Sequence, residues 1–340
     1  MWVDKSEKNI LNLTSYQQNW LAKLLNDIES GKMTLIKNYC LCNNDKSTND
    51  FVLSQCDRFG VRVKTVLCSK CGLVRSDLVF DEDSNILFYE KYYRNIYVGS
   101  DLAADYFFSE QVKRGGGLFD LYKNVCGVEK KQSVLELGCG AGGILYPFFK
   151  YGCNCVGYDF NKSYLEFGIK KGMLLKYGDG LLEEKSSFDL IVLSHVFEHF
   201  LDPVETIVSI SSLLKPGGNM VIEVPGVYNI DAAYNNPYHY FQSAHVYSFS
   251  ESYLKVIFTS IGFEILYSDE ICVFIIKKLG CHLSIPENIV FDSSSERNSK
   301  LLYRYFNILF LKHELFISKG RWRLFKSFLK KRLVLLGVKY

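Results

Sequence analysis

From residue 132 onward, short apolar segments alternate with amphipathic ones, and that alternation limits the fold more than any other feature. Val134-Leu-Glu-Leu, Cys155-Val-Gly-Tyr, Met173-Leu-Leu-Lys-Tyr, Phe188-Asp-Leu-Ile-Val-Leu and Asn219-Met-Val-Ile-Glu-Val read as strands, with helices from Lys162 and near 203–214 between them. Strands separated by helices predict a parallel sheet covered on both faces, an α/β fold. The flanks differ. Residues 1–37 read as one or two helices (Ile10, Leu11, Leu13, then Trp20, Leu21, Leu24, Leu25 and Ile28 at helical spacing), and 38–83 as short strands between cysteine-bearing turns. Residues 84–131 read as an aromatic-rich helical connector, 132–280 as the α/β domain and 281–340 as a basic helical extension. With 48% hydrophobic and 15% aromatic residues there is ample apolar surface to order the chain, which excludes a disordered protein. The start, Met1-Trp-Val-Asp-Lys, lacks the apolar core of a secretory signal, and no uncharged apolar run reaches the roughly 18 residues of a spanning helix. The expectation is a cytoplasmic protein.

Val134-Leu-Glu-Leu-Gly-Cys-Gly-Ala-Gly-Gly143 is a strand running into a glycine turn. Gly138, Gly140 and Gly143 fit G-x-G-x-x-G, a pattern shared by many nucleotide binders. Glu136 sits where a carboxylate can pair with a ligand ammonium, and Asp159 ends the next strand, where an acid can take both hydroxyls of a ribose. No Lys-Ser/Thr follows the glycines, so the turn is no P-loop. A third strand ends in Gly178-Asp179-Gly180, the fourth in Ser194-His195, and Leu214-Lys-Pro-Gly-Gly218 precedes the fifth.

Together these features resemble the class I S-adenosylmethionine-dependent methyltransferases, over about residues 132–277. The resemblance implies a Rossmann-like seven-stranded sheet with helices on both faces. It also implies that Glu136, Gly138, Cys139, Gly140 and Gly143 line the methionine moiety, that Asp159 and Phe160 meet the ribose, and that Asp179 and Gly180 meet the adenine. Ser194 and His195 are then expected beside the sulfonium. The alternative, a nicotinamide-dependent oxidoreductase of the short-chain type, would want a late Tyr-x-x-x-Lys, and residues 188–226 contain no tyrosine.

Beyond the fifth strand lies Asn235-Asn-Pro-Tyr-His-Tyr-Phe-Gln-Ser-Ala-His-Val-Tyr-Ser-Phe-Ser250, at the sheet edge where open α/β folds place substrates. It resembles the acceptor segment of methyltransferases acting on sugars and surface glycans. His245 matches a histidine of the Glu-His pair in the sugar C-methyltransferases, while Ala244 replaces the glutamate. Removing a proton from carbon needs a tuned base assembly and removing one from a hydroxyl needs a single nearby base, so the expectation is O-methylation. His245 is the expected base, with His199 or Glu198 in its place otherwise; His239 and Tyr240 are expected substrate contacts. His195 and His199 also stand at the i, i+4 spacing of a metal pair.

The chain has eleven cysteines. Cys126, Cys272 and Cys281 read as small core residues. Cys40-x-Cys42 and Cys68-x-x-Cys71-Gly72 form two short-spaced pairs, as a structural tetrathiolate zinc site needs, with Cys56 as a substitute ligand. Asp57-Arg-Phe-Gly60, the 68–74 turn and Phe88-Tyr-Glu-Lys-Tyr-Tyr-Arg94 resemble the zinc-bearing, zinc-ribbon-like front end of methyltransferases from polysaccharide and nucleotide-sugar pathways. That resemblance implies a small module closing over the acceptor, with Arg58 holding a pyrophosphate or sugar ring.

Net charge is +3, but Lys300–Lys339 holds about +10 and the remainder about −7. Apolar residues at helical spacing (Leu301, Leu302, Phe306, Leu309, Phe310, then Leu324, Phe325, Phe328, Leu329) predict an amphipathic helix pair packing on the rest of the chain. The alternative is a peripheral contact with an anionic membrane. No RNA-binding module accompanies the charge, so no nucleic-acid partner is expected. The combined expectation is a methyltransferase acting on a hydroxyl of a nucleotide sugar or surface glycan. Sugar C-methylation, a non-catalytic cofactor-binding scaffold of glycan assembly, and a quinone or other small-molecule methyltransferase are the alternatives.

Overall fold

A computed structural model describes residues 10–42, 49–99, 104–280, 282–286, 289–291 and 293–335. The amino terminus through residue 9, Cys281, and the tail's side chains from Lys319 onward, on which the membrane expectation rests, lie outside the described parts. Helix α1 (Ser15–Glu29) begins at Thr14, whose side chain accepts from the Gln17 amide while Gln17 reaches back to the Thr14 amide. Ile10, Leu11 and Leu13 are therefore outside the helix, contrary to the spacing argument, because the capping box fixes the start.

Five short strands follow: β1 (Leu35–Lys37), β2 (Phe51–Ser54), β3 (Thr65–Leu67), β4 (Val74–Ser76) and β5 (Leu78–Phe80). Val61 and Val63, read from sequence as part of a strand to Leu67, precede it, since the Asp57 carboxylate accepts from the Phe59 and Val61 amides and holds a turn there. The connector holds α2 (Glu82–Leu87), two π-helical turns over Phe88–Tyr92 and Arg94–Val98, and α3 (Ala104–Cys126).

The α/β part runs β6 (Ser133–Leu137), α4 (Tyr146–Tyr151), β7 (Asn154–Asp159), α5 (Lys162–Lys170), β8 (Leu174–Tyr177), β9 (Phe188–Ser194), α6 (Pro203–Ser211) and β10 (Leu214–Glu223). Then come α7 (Ile230–Ala233), β11 (Tyr247–Ser248), α8 (Glu251–Ile261), β12 (Phe263–Ser268), β13 (Val273–Lys278) and α9 (Ser293–Leu335). The main sheet has seven strands in the order β12-β13-β10-β9-β6-β7-β8. It is parallel from β8 to β10, while β13 runs antiparallel to both of its neighbours. Its central strands are buried on both faces, with Val134, Leu135, Leu190, Ile191, Val192 and Leu193 inaccessible, as the apolar runs require. The chain moves outward from β6 to β8, returns, and continues from β9 the other way. The crevice beyond the ends of β6 and β9 is thus the switch point at which open α/β sheets bind ligands.

Strands β2, β3 and β4 form a second sheet whose fourth strand is β11, from far along the chain. The extension is one helix, not the expected pair: α9 continues unbroken through Gly320. Its first half packs as expected. Leu302, Phe306 and Leu309 are buried with Leu53, Leu67 and Phe241, and Tyr303 stacks on Phe51 with ring centres 4.1 Å apart.

Candidate active site

The glycine turn after β6 is shaped by two close approaches. Gly140 has φ +56°, and a Cβ there would lie 2.8 Å from the Phe107 ring; at Gly143 a Cβ would lie 2.4 Å from Cβ of Gln111. Helix α3 thus lies directly on the turn, and Gln111 accepts from the Ala141 and Gly143 amides (both 3.3 Å) and donates to the Cys139 carbonyl (3.1 Å). Asp159 Oδ2 accepts from the Gly140 amide at 2.9 Å, which binds the end of β7 to the turn. Glu136 is fully buried, and its Oε2 has no hydrogen-bond partner. Burial first, and the charge of Asp159 next, push its carboxyl well above the ordinary carboxylate range. A buried carboxyl with one oxygen left unpartnered, beside a turn that admits no side chain, suits the ammonium of a nucleoside such as S-adenosylmethionine.

Around this turn, Cys139 is buried, and its amide donates to the Tyr158 carbonyl at 2.9 Å. Asp179 is exposed and accepts from the Leu181 amide, Gly180 is buried, and Phe160 stands exposed at the rim against Tyr177. Ser194 donates to Glu223 Oε2 at 2.6 Å. Sequence reasoning missed two residues here. Arg94 holds Asp159 Oδ1 at 3.0 Å with its guanidinium 4.3 Å from the Tyr164 ring centre, and Gln111 caps the turn. Both come from the connector, and nothing local in sequence ties either to the glycines.

The second half of the site lies after β9. His195 has φ +56°, a sparsely populated conformation for a residue with a side chain. The next turn, Phe197–His199, turns Glu198 inward to 1% exposure. Glu198 Oε1 lies 3.5 Å from His195 Nδ1, 3.9 Å from His199 Nε2 and 3.8 Å from His245 Nε2. Burial works to raise the Glu198 carboxyl, but His199, His195 and His245 outweigh it and hold it down to about 2. His245 is pushed well below the ordinary histidine range, by burial first and by the neighbouring His199 next, so it is neutral near pH 7. His199 Nδ1 lies 2.8 Å from the Ala244 carbonyl and 2.9 Å from the Tyr89 hydroxyl.

The segment bearing His245 is clamped from both sides. Ser76 donates to the His245 carbonyl (3.0 Å), the Val246 amide donates to the Glu198 carbonyl (3.0 Å), and Ser243 donates to Asp57 (2.8 Å). The structure therefore brings together His245, His199 and Glu198, three expected catalytic residues, with His195 at the rim. It also removes the ground for dismissing a Glu-His pair: the carboxylate absent at Ala244 is supplied by Glu198, from the turn after β9. Arg58 belongs to the same neighbourhood, its charge acting on His245, and its guanidinium lies over the Phe59 and Tyr97 rings. His239 is half-buried and lies 3.3 Å from Asn236. Tyr240 is turned into the core, its hydroxyl donating to the Pro225 carbonyl at 2.7 Å, so its role is in packing.

The four cysteines of the front module converge. Cys40 lies 3.4 Å from Cys71 and 3.5 Å from Cys42, and Cys42 lies 3.7 Å from Cys68, sulfur to sulfur. Four thiolates about 2.3 Å from one tetrahedral zinc sit roughly 3.8 Å apart, so the donor set and spacing fit that ion. Cys56 is buried outside this group, and none of the described cysteines forms a disulfide.

Residues 110–268 match the model of a family described as a methyltransferase domain. Among curated proteins, the chain is similar to a ubiquinone biosynthesis O-methyltransferase of Vibrio parahaemolyticus, 30% identical over 98 residues, covering 26% of this chain and 42% of the relative. The corresponding protein of Bradyrhizobium sp. is 33% identical over 96 residues, covering 26% and 38%. The chain thus spans about two fifths of the length of these relatives. Among solved structures, it is similar to the PH0226 protein of Pyrococcus horikoshii (TM-score 0.42, 16% identity, 56% of this chain and 98% of that one). It is also similar to an S-adenosylmethionine-dependent methyltransferase of Mesorhizobium loti (TM-score 0.38, 14% identity, 52% and 97%).

Proposed function

We propose that this chain, which carries an S-adenosylmethionine-dependent methyltransferase domain at residues 110–268, methylates a hydroxyl of a sugar, either a nucleotide sugar or a surface glycan. The observation that carries the reading is His245: buried, neutral and 3.8 Å from Glu198 of the turn whose Val196 packs against Gly138. Bound S-adenosylmethionine would supply a methyl group on a positively charged sulfur. Glu136 would hold its ammonium and Asp159 its ribose, with Arg94 giving way at Oδ1. His245 would accept the acceptor's hydroxyl proton late in the displacement, and the enclosing segments would strip water and align the oxygen. Arg58 would meet an anionic group of the acceptor. Cys40, Cys42, Cys68 and Cys71 would hold a structural zinc, with no coordination position left open for chemistry.

A second reading is an aromatic or quinol hydroxyl as acceptor. The O-methyltransferases it is similar to favour it, as do the tyrosines beside His199, with the Tyr89 and Tyr93 ring centres 5.6 and 5.8 Å from that of His199. The proposed location is cytoplasmic, with the basic segment from Lys319 available to meet an anionic membrane. No described helix is long and apolar enough to cross one. The test offers isotopically labelled cofactor to a panel of nucleotide sugars, surface glycans and hydroquinones and reads products by mass spectrometry. Label on a sugar oxygen is expected. Label on a sugar carbon or an aromatic oxygen overturns the reading, and cofactor binding without turnover of any acceptor favours the scaffold alternative.

A further inference from the structure

We propose that Glu198, His199 and His245 form a binding site for one divalent transition-metal ion, distinct from the four-cysteine cluster, and that loading it shuts off methyl transfer. The regulatory half rests on the reading of His245 as the base. The metal half rests on geometry alone. Glu198 is 1% exposed, and neither of its carboxylate oxygens has a hydrogen-bond partner. Its nearest neighbours are histidine nitrogens at 3.5–3.9 Å, and a bound cation would give the carboxylate the direct contact that these do not. The donor atoms of the three side chains lie within 4.8 Å of one another. Ligands about 2.0–2.1 Å from one tetrahedral ion are roughly 3.4 Å apart, so the observed separations of 3.8 and 3.9 Å from Glu198 Oε1 need only small contraction.

The hydrogen bonding around the imidazoles points the same way. His199 Nδ1 lies 2.8 Å from the Ala244 carbonyl, which leaves Nε2 as the ring nitrogen turned towards Glu198. A backbone carbonyl fixing the far nitrogen is how metal-bound histidines are commonly oriented. His245 Nε2 accepts from the Gln242 amide at 2.6 Å and lies 3.8 Å from Glu198 Oε1, so an ion bound there would replace that amide as its partner. Two imidazole nitrogens and a carboxylate oxygen thus converge within 4.8 Å of one another. A cation satisfies all three at once, once the Gln242 amide turns aside. Two imidazoles and one carboxylate select zinc, iron(II), cobalt(II) or manganese(II) over magnesium, which prefers oxygen ligands. A bound ion occupies the lone pair on which His245 would take the acceptor's proton, so occupancy and base catalysis exclude each other.

The test titrates the full chain with Co2+ in place of other metals. The first equivalent, on the four thiolates, gives sulfur-to-cobalt charge-transfer bands. The proposal expects a second equivalent with ligand-field bands alone, weakened at least about 100-fold in Glu198→Gln and in His245→Gln. The thiolate bands should persist in both variants and show that they have folded. A second equivalent absent from the native chain, or bound equally well by Glu198→Gln, overturns the site. Methyl transfer should fall in step with the second equivalent, and transfer that is unchanged or raised overturns the regulatory half. If no acceptor is ever turned over, the proposed function fails while the cobalt stoichiometry still decides the metal site.

Discussion

The cradle around Gly138–Gly143 and the pocket around His245 adjoin at the ends of neighbouring strands, yet they are assembled in different ways. The cradle is one strand, one turn and the end of the next strand, fastened by bonds from the Cys139 and Gly140 amides to Tyr158 and Asp159, with Gln111 of α3 capping the turn. The pocket draws Glu198 and His199 from the turn after β9, His245 from the segment that begins at Ala244, 45 residues after His199, and Tyr89 from 110 residues before His199. The first is short-range geometry that a contiguous motif can specify. The second is tertiary, and it holds only while the front module and the connector are docked. The two halves should therefore fail independently, the cradle in affinity and the pocket in rate.

The largest effect expected is on rate. His245→Gln should lower kcat by about 100- to 10,000-fold, as loss of a general base does, and leave cofactor affinity by calorimetry unchanged. A variant that binds cofactor poorly would break the separation. Next, Asp159→Ala should weaken cofactor binding by about 10- to 100-fold, the worth of hydrogen bonds to a charged group, with kcat at saturating cofactor retained; a fall confined to kcat would contradict the ribose assignment. Glu136→Gln should cost about tenfold in affinity and change its pH dependence. The Glu136 carboxyl titrates above the ordinary carboxylate range, and a cationic ligand prefers it ionised, so native affinity should weaken as pH falls through that raised value. The Gln variant should lack this slope, and equal slopes in both proteins would remove Glu136 from the ammonium site. The smallest effect belongs to Arg94, a partly exposed partner of Asp159 in the place a ribose would take. Arg94→Ala should tighten cofactor binding, by no more than about fivefold for a pair of this exposure. Weaker binding would mean that Arg94 assists the cofactor instead.

The same division explains what was legible in the sequence. The sheet, the glycine turn and Asp159 could be read because each depends on residues a few positions apart. The two cysteine pairs could also be read, since short spacing is itself the signal. The start of α1 was written in Thr14-x-x-Gln17 and was overridden by the apolar spacing of Ile10 to Leu13. The single helix α9 was misjudged as a pair; Gly320 within it costs a helix only about 1 kcal/mol and does not end it. Glu198 beside His245, Gln111 on the glycine turn and Arg94 on Asp159 could not be read at all. Each pairs residues brought together by sheet order and docking, with no periodicity linking them.

The pairing of β11 with β4 has a consequence for how the protein is made. Ser76 holds the backbone of His245, a residue synthesised 169 positions later, and Ser299 on α9 reaches back to the Cys68 carbonyl, 231 positions earlier. At roughly 5–20 residues per second on the ribosome, the cysteine-bearing strands wait about 10–30 s for the first of these partners. Through that interval the nascent chain holds an open β edge and reactive thiols, an interval for a holding chaperone or an early metal ion to cover.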